Sequence, residues 1–148
     1  VDGTSAYEEI RNLLGRYCEV MDAGDWAGLG ALFAAGVLTD GAGNEVARGA
    51  EAVAALYAGM VQLHDGSPRT RHLTTNPVIE VHGDRAVCRS SFAVLQQVGD
   101  GPLAPVAAGR YRDEFVRTDG TWRFSVRAFH LDQVGDTSRH LVGPKARA

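Results

Sequence analysis

Cysteine is nearly absent from the chain: Cys18 and Cys88 stand far apart with no CxxC spacing, which excludes a disulfide framework and the usual zinc-ligand patterns. Both read as buried free thiols. No apolar run approaches the roughly 18 to 20 residues that a membrane-spanning helix needs. The opening VDGTSAYEEI also lacks the charged-then-apolar order of a signal peptide, so the expectation is a cytoplasmic protein with no membrane contact. A net charge of -3, a pI near 5.9 and scattered arginines leave no basic stripe to follow a phosphate backbone, which argues against nucleic acid as a partner. Internal repeats and low-complexity linkers are missing too.

What is present fits an ordinary globular protein, with 45% apolar and 22% charged residues. A length of 148 residues suffices for one domain with a real core and is short for two. The expected unit is the whole chain, 1–148, with its core at about 5–133 and a frayed tail over 136–148.

Ile10, Leu13, Leu14, Tyr17, Cys18 and Met21 recur at three- and four-residue steps and predict a helix with one buried stripe, capped by Thr4 or Ser5 and running to about Ala23. Gly24 supplies its stop, and Asp25 caps a short second helix carrying Trp26, Leu29, Leu32 and Phe33. Val37–Thr39 and Glu45–Ala47 flank the turn-rich DGAGN as a small hairpin. A third helix from Ala50 carries Val53, Leu56, Tyr57, Met60, Val61 and His64, and stops at the sequence DGSP. The period then changes. Arg71–His82, Arg85–Val98, Pro105–Arg117 and Thr121–Asp132 read as four long strands joined by HGDR, GDGPLAP and TDGT, an antiparallel meander. Helices first and strands afterwards make an α+β fold, with helices packed on one face of a curved sheet around a cavity.

Asp22 is the anomaly in this pattern, because it lies one turn beyond Cys18 on the buried stripe. A carboxylate facing the interior needs a partner. One side of the first long strand carries His72, Thr74, Asn76, Val78, Glu80 and His82, so His72 can meet Asp22 if that side turns inward. A carboxylate paired with an imidazole orients the ring and raises its basicity, which suits proton transfer. The alternative from periodicity alone is a solvated His72 at an edge strand and an Asp22 that caps nearby backbone.

The order of elements, with YCEVMDAGDW, TRHLTTNPVIEV and GRYRDEFVRTDGTWRFSVR, resembles the SnoaL-like branch of the nuclear transport factor 2 (NTF2)-like superfamily, from about Tyr7 to about Leu131. The resemblance implies a conical barrel: a strongly curved mixed sheet wrapped by three N-terminal helices, with a deep apolar pocket. Scytalone dehydratase, bile-acid 7α-dehydratase and the hexachlorocyclohexane dehydrochlorinase are similar in placing an Asp at the end of the first helix and a His at the start of the third strand. Asp22 and His72 hold those positions, and Tyr17 matches an active-site tyrosine of the bile-acid enzyme. This implies a cofactor-free, metal-free lyase or isomerase of dehydratase type. In it His72 removes a proton from a small apolar or aromatic ring substrate such as a polyketide or steroid, Asp22 stabilises the imidazolium, and Tyr17 assists the leaving group or a carbonyl. Tyr57, Met60, Asn76 and Arg127 are the candidate substrate-binding residues. For Arg127 the choice lies between the pocket floor, a substrate carboxylate and an ion pair with Asp113 or Glu114. The second histidine that scytalone dehydratase takes from a neighbouring strand has no counterpart in Arg85–Val98. Relatives on this scaffold also include polyketide cyclases, epoxide hydrolases and non-catalytic modules, which remain alternatives here. Pairing through the sheet into a homo-oligomer, a dimer or trimer, is implied as well.

Overall fold

The computed structural model describes residues 5–143. Helix α1 (Ala6–Ala23) starts at Ser5, whose hydroxyl accepts the Glu8 N–H at 3.3 Å while the Glu8 carboxylate accepts the Ser5 N–H at 2.9 Å. This reciprocal box satisfies two N-terminal donors at once. Thr4, the other candidate cap, lies outside the described residues. Gly24 ends the helix at φ 69°, a left-handed conformation that costs other residues about 1–2 kcal/mol. The chain therefore turns just after Asp22 and leaves that side chain on the last turn. Asp25 then caps α2 (Trp26–Leu32) by accepting the Gly28 N–H at 2.8 Å.

Strands β1 (Val37–Thr39) and β2 (Glu45–Arg48) form the expected small hairpin, and α3 (Gly49–Met60) follows. This helix stops one turn short of the sequence-based boundary. Val61 turns extended and bridges to Leu141, and His64 lies beyond the helix with Nε2 2.7 Å from the Arg139 carbonyl. Strands β3 (Thr70–His82), β4 (Arg85–Gln96), β5 (Ala104–Thr118) and β6 (Thr121–Val134) make the antiparallel meander.

The six strands lie in the order β2-β1-β6-β5-β4-β3, and β1 runs parallel to β6, so the sheet is mixed. It is open, with β2 and β3 at its edges. Helix α1 touches both β3 and β6 although two strands separate them, which requires the sheet to curl around the helix. The core between them holds Ile10, Leu14, Phe33, Phe115, Trp122 and Phe124, with Phe33 and Phe115 packed on Phe124 at ring separations of 4.9 and 4.8 Å. Closely packed aromatic pairs of this kind supply large buried area together with preferred ring geometry.

Two local features depart from the sequence reading. Strand β3 is bulged: Thr75 pairs with Ser91 and Val78 with Arg89, so Asn76 and Pro77 together face Ser90. Asn76 takes φ 54° there. An extra residue reverses the alternation, so Thr70, His72 and Thr74 turn inward before the bulge, but Ile79 and Val81 do so after it. The second departure is the tail. Residues 137–142 are not frayed but folded back on the end of α3, through Gln62 N–H to the His140 carbonyl at 2.8 Å and Val142 N–H to the Met60 carbonyl at 2.8 Å. The Gln62 side-chain amide adds bonds to the Ser138 and Leu141 carbonyls, and Gln96 donates to that of Arg139. With those backbone groups satisfied, the segment lies packed as part of the fold. Only the last part of the frayed-tail expectation, 144–148, falls outside the described residues.

Candidate active site

Asp22, from the last turn of α1, meets the first residues of β3. The His72 ring Nδ1 lies 2.6 Å from Asp22 Oδ1. The His72 backbone N–H donates to both carboxylate oxygens at 3.1 and 3.0 Å, and the Thr70 hydroxyl donates to Oδ1 at 2.9 Å. Both side chains are largely shielded, at 6% and 12% exposure for His72 and Asp22. Burial alone would raise the Asp22 pKa. Hydrogen bonds from the His72 ring and backbone, the His72 charge and the Thr70 hydroxyl outweigh that effect and hold the carboxyl below its usual range. Because a carboxylate can only accept, Nδ1 carries the proton of the short contact, and in the neutral ring Nε2 is left with the lone pair.

The same ring lines a cavity of about 230 Å³ between α1, α3 and the concave side of the sheet. Its wall is mostly apolar, built from Met21, Leu56, Met60, Phe92, Val94 and Phe129 among others. Tyr17, Tyr57 and Tyr111 also line it. The Tyr17 and Tyr57 oxygens lie 3.1 Å apart, and the Tyr17 ring stands edge-on to His72 at 6.5 Å. One proton of the phenol pair is used in that mutual bond; the other remains to be given. Burial first, then the neighbouring Tyr17, pushes the Tyr57 pKa well up, so this hydroxyl stays protonated and able to donate.

Of the sequence-based candidates, Asp22, His72 and Tyr17 come together, and Tyr57 and Met60 line the cavity beside them. Two others do not. Asn76 sits on the exposed bulge outside the wall of this cavity, because the bulge ends the inward run that began at Thr70; it lines a second, more open hollow that His72 also borders. Arg127 is only 1% exposed and is sealed beneath the floor, where it donates to Asp113 through two bonds of 2.8 Å. Its guanidinium carbon lies 4.1 Å from the centre of the Tyr17 ring and 3.9 Å from that of Tyr111. A substrate carboxylate cannot reach it. Burial opposes the Arg127 charge, but Asp113 outweighs this, so the pKa is raised and the cation persists under two cavity tyrosines. Among the thiols, Cys88 is buried and pushed up to about 11, chiefly by burial and then by Asp113. Cys18, expected to be buried, is half-buried, with Sγ 3.4 Å from the Thr74 hydroxyl.

The sequence reading missed three polar residues of the cavity wall. Tyr111 was legible, since Tyr111, Asp113 and Phe115 alternate inward along β5. Thr137 and His140 lie in the irregular tail, where no period exists to mark them. His140 is 8% exposed, and burial followed by repulsion from His72 pushes it down to about 4, so its imidazole is neutral at pH 7. Among the described residues no group of three or more His, Cys, Asp or Glu side chains could hold a metal ion, and no helix is long and apolar enough to cross a membrane.

A curved mixed sheet wrapped by three helices around an apolar cavity is the architecture of the SnoaL-like class. The chain belongs to this family: the SnoaL-like domain model matches residues 3–128. Rv3472, a protein of unknown function from Mycobacterium tuberculosis, is 31% identical, with 85% of this chain and 71% of that one covered and a TM-score of 0.69. An NTF2-like protein with a cystatin-like fold from Novosphingobium aromaticivorans is 30% identical over 84% of this chain and 80% of its own, with a TM-score of 0.72. A protein of the same organism named for scytalone dehydratase shares the fold at 22% identity, with coverage of 96% and 94% and a TM-score of 0.70. No protein of curated function matches the chain.

Proposed function

We propose that this SnoaL-like protein is a cofactor-free lyase or isomerase that removes a proton next to a carbonyl or similar activating group on an apolar ring substrate. The observation that carries the reading is the 2.6 Å contact between Asp22 and His72 at the wall of an apolar cavity. His72 Nε2 takes the proton and becomes the imidazolium, whose Nδ1–H is already held by Asp22. The electron pair moves to the activating oxygen, where the spare proton of the Tyr17–Tyr57 pair stabilises it. In a dehydration the β-carbon–oxygen bond then breaks, and the departing hydroxide takes the proton from His72 to leave as water. In an isomerisation the imidazolium returns the proton to a different carbon. Both routes end with His72 neutral.

A polyketide cyclase or epoxide hydrolase using Asp22 as a lone acid fits less well. The Asp22 carboxylate is held in its charged form by three donors on β3, which suits support of a cation. The largely apolar cavity wall favours a second reading, a module that only holds a ring ligand.

Solvent deuterium exchange into a panel of cyclic ketones, beginning with 2-tetralone and followed by NMR, separates the two. The enzyme reading expects catalysed exchange that His72→Ala reduces by about 10²–10⁴-fold with the fold intact. Undiminished exchange in that variant, or none in the wild type with any ketone, refutes it. Self-association through the sheet belongs to the same proposal and is read by native mass spectrometry.

A further inference from the structure

The tail that closes the cavity carries two polar atoms with nothing to bond. Thr137 is 3% exposed and His140 8%, both line the cavity, and Thr137 Oγ1 and His140 Nδ1 are buried with no hydrogen-bond partner among the described residues. The surrounding backbone is treated differently. The Thr137 carbonyl accepts from His140 and Leu141, and the carbonyls of 138–141 are all bonded by Gln62, His64 or Gln96. A segment so fully satisfied along its main chain, yet holding two orphaned side-chain atoms on residues that line a cavity, is costly for folding alone, at about 1–3 kcal/mol for each unmet group. Such a cost is met when a ligand supplies the missing bonds.

We propose that Thr137 and His140 form a hydrogen-bonding subsite for a neutral hydroxyl carried by the ring ligand, distinct from the Asp22–His72 pair that acts on its carbon. The proposal rests on the reading that the cavity holds a ring substrate. A threonine hydroxyl and a neutral imidazole can each donate or accept, and a ligand hydroxyl can give to one while it takes from the other. A ketone oxygen only accepts and satisfies fewer arrangements. A carboxylate would need a cation, but among the described residues no arginine or lysine lines the cavity, and Arg127 is committed to Asp113 below the floor. The ligand is therefore amphipathic: an apolar ring frame of two or three rings, an activated carbon at His72, and a phenolic or alcoholic hydroxyl at the tail.

Calorimetric titration of the full chain with 2-naphthol, 2-methylnaphthalene and 2-naphthoate tests the subsite without reference to turnover. The wild type is expected to bind 2-naphthol at least tenfold more tightly than 2-methylnaphthalene, and 2-naphthoate more weakly than 2-naphthol. Thr137→Val and His140→Phe should each bring the first ratio to about threefold or less while the hydrocarbon affinity is kept, and Thr137→Ser should restore it. Thermal unfolding of the ligand-free variants adds an independent reading. Replacing an unpaired buried polar atom by an apolar one should hold or raise Tm. A hydroxyl preference that persists in both variants, or is absent from the wild type because the two atoms hold only water, overturns the subsite. So does a fall in Tm accompanied by equal loss of all affinities, which would make both residues purely structural. The two proposals fail separately: His72→Ala should keep the naphthol preference while losing exchange. Loss of exchange there, together with an unaltered preference in the tail variants, would remove the subsite alone. Failure of the wild type to bind any of the three compounds removes the subsite together with the ring-ligand cavity.

Discussion

Thr70 donates its hydroxyl to Asp22 Oδ1 at 2.9 Å, the same oxygen that receives the His72 ring at 2.6 Å. One residue of β3 thereby fixes the carboxylate for another residue of the same strand, two positions on. Thr70 is 2% exposed and is not part of the cavity wall. Thr70→Val should therefore lower the rate of proton exchange by roughly tenfold with little change in ligand affinity, because the carboxylate loses orientation but keeps its charge. Stability should fall by about 1 kcal/mol. Thr70→Ser should recover most of the rate. An unchanged rate in Thr70→Val would show that the His72 backbone bonds suffice to hold Asp22.

Acid should destabilise the protein in two separate windows. His140 is depressed to about 4 in the fold from an ordinary 6.5, so its contribution is fully present above about pH 6.5 and is lost as pH falls toward 4. The loss is of order 3 kcal/mol at its limit. Asp22 is also lowered, and its contribution is present above the ordinary 3.8 and lost only below that, as pH falls through the folded value. The groups near His140 are His72 and the cavity tyrosines, and Tyr57 and Tyr111 are both pushed up, away from this range. Urea midpoints measured from pH 7 to pH 4 should fall for the wild type and flatten for His140→Phe. A parallel decline in both proteins would assign the loss to other groups.

The Arg127–Asp113 pair should behave as a buried ion pair whose halves are worse apart than together. Arg127→Met or Asp113→Leu alone leaves one unpaired charge and should cost about 3–5 kcal/mol, whereas the double variant should recover much of this. Catalysis should be affected even in the recovered double variant, because Tyr17 and Tyr111 lose the cation beneath their rings. Chemical unfolding and the exchange assay read the two effects separately. Additive losses in the double variant would mean that the pair is not coupled.

Asn76 should matter for stability and not for binding. At φ 54° on the β3 bulge, Asn76→Gly should be tolerated, and Asn76→Val should cost about 1–2 kcal/mol. Neither should alter ligand affinity by more than about twofold. Deleting Asn76 is the harsher change, since removing the extra residue would put either His72 or Ile79 on the wrong face. A binding defect in Asn76→Gly with normal stability would return this residue to the site.

Much of the molecule could be read from local pattern. The 3.6-residue stripe of α1, the Ser5 box, the Gly24 stop and the two-residue alternation of four strands are properties of neighbouring residues, and they fixed the α+β order, the place of Asp22 at a buried helix end and its likeness to a family. The pairing of Asp22 with His72 was only possible from this pattern, because which face of β3 turns inward depends on contacts with α1. Asn76 falls outside the apolar cavity's wall for the same reason: the alternation of β3 is true on each side of a bulge and false across it, and a bulge is decided by how β4 pairs. Arg127 could have met a substrate or Asp113, and the choice fell to Asp113 because β5 and β6 pair these two residues side by side beneath the floor. His140 and Thr137 had no period at all. Their place at the cavity is set by long-range bonds from Gln62 and Gln96, side chains far away in the sequence, and such bonds leave no mark on the residues that receive them. Local propensity thus dictated the elements of this protein, while packing between elements distant in the chain decided which side chains share the hollow.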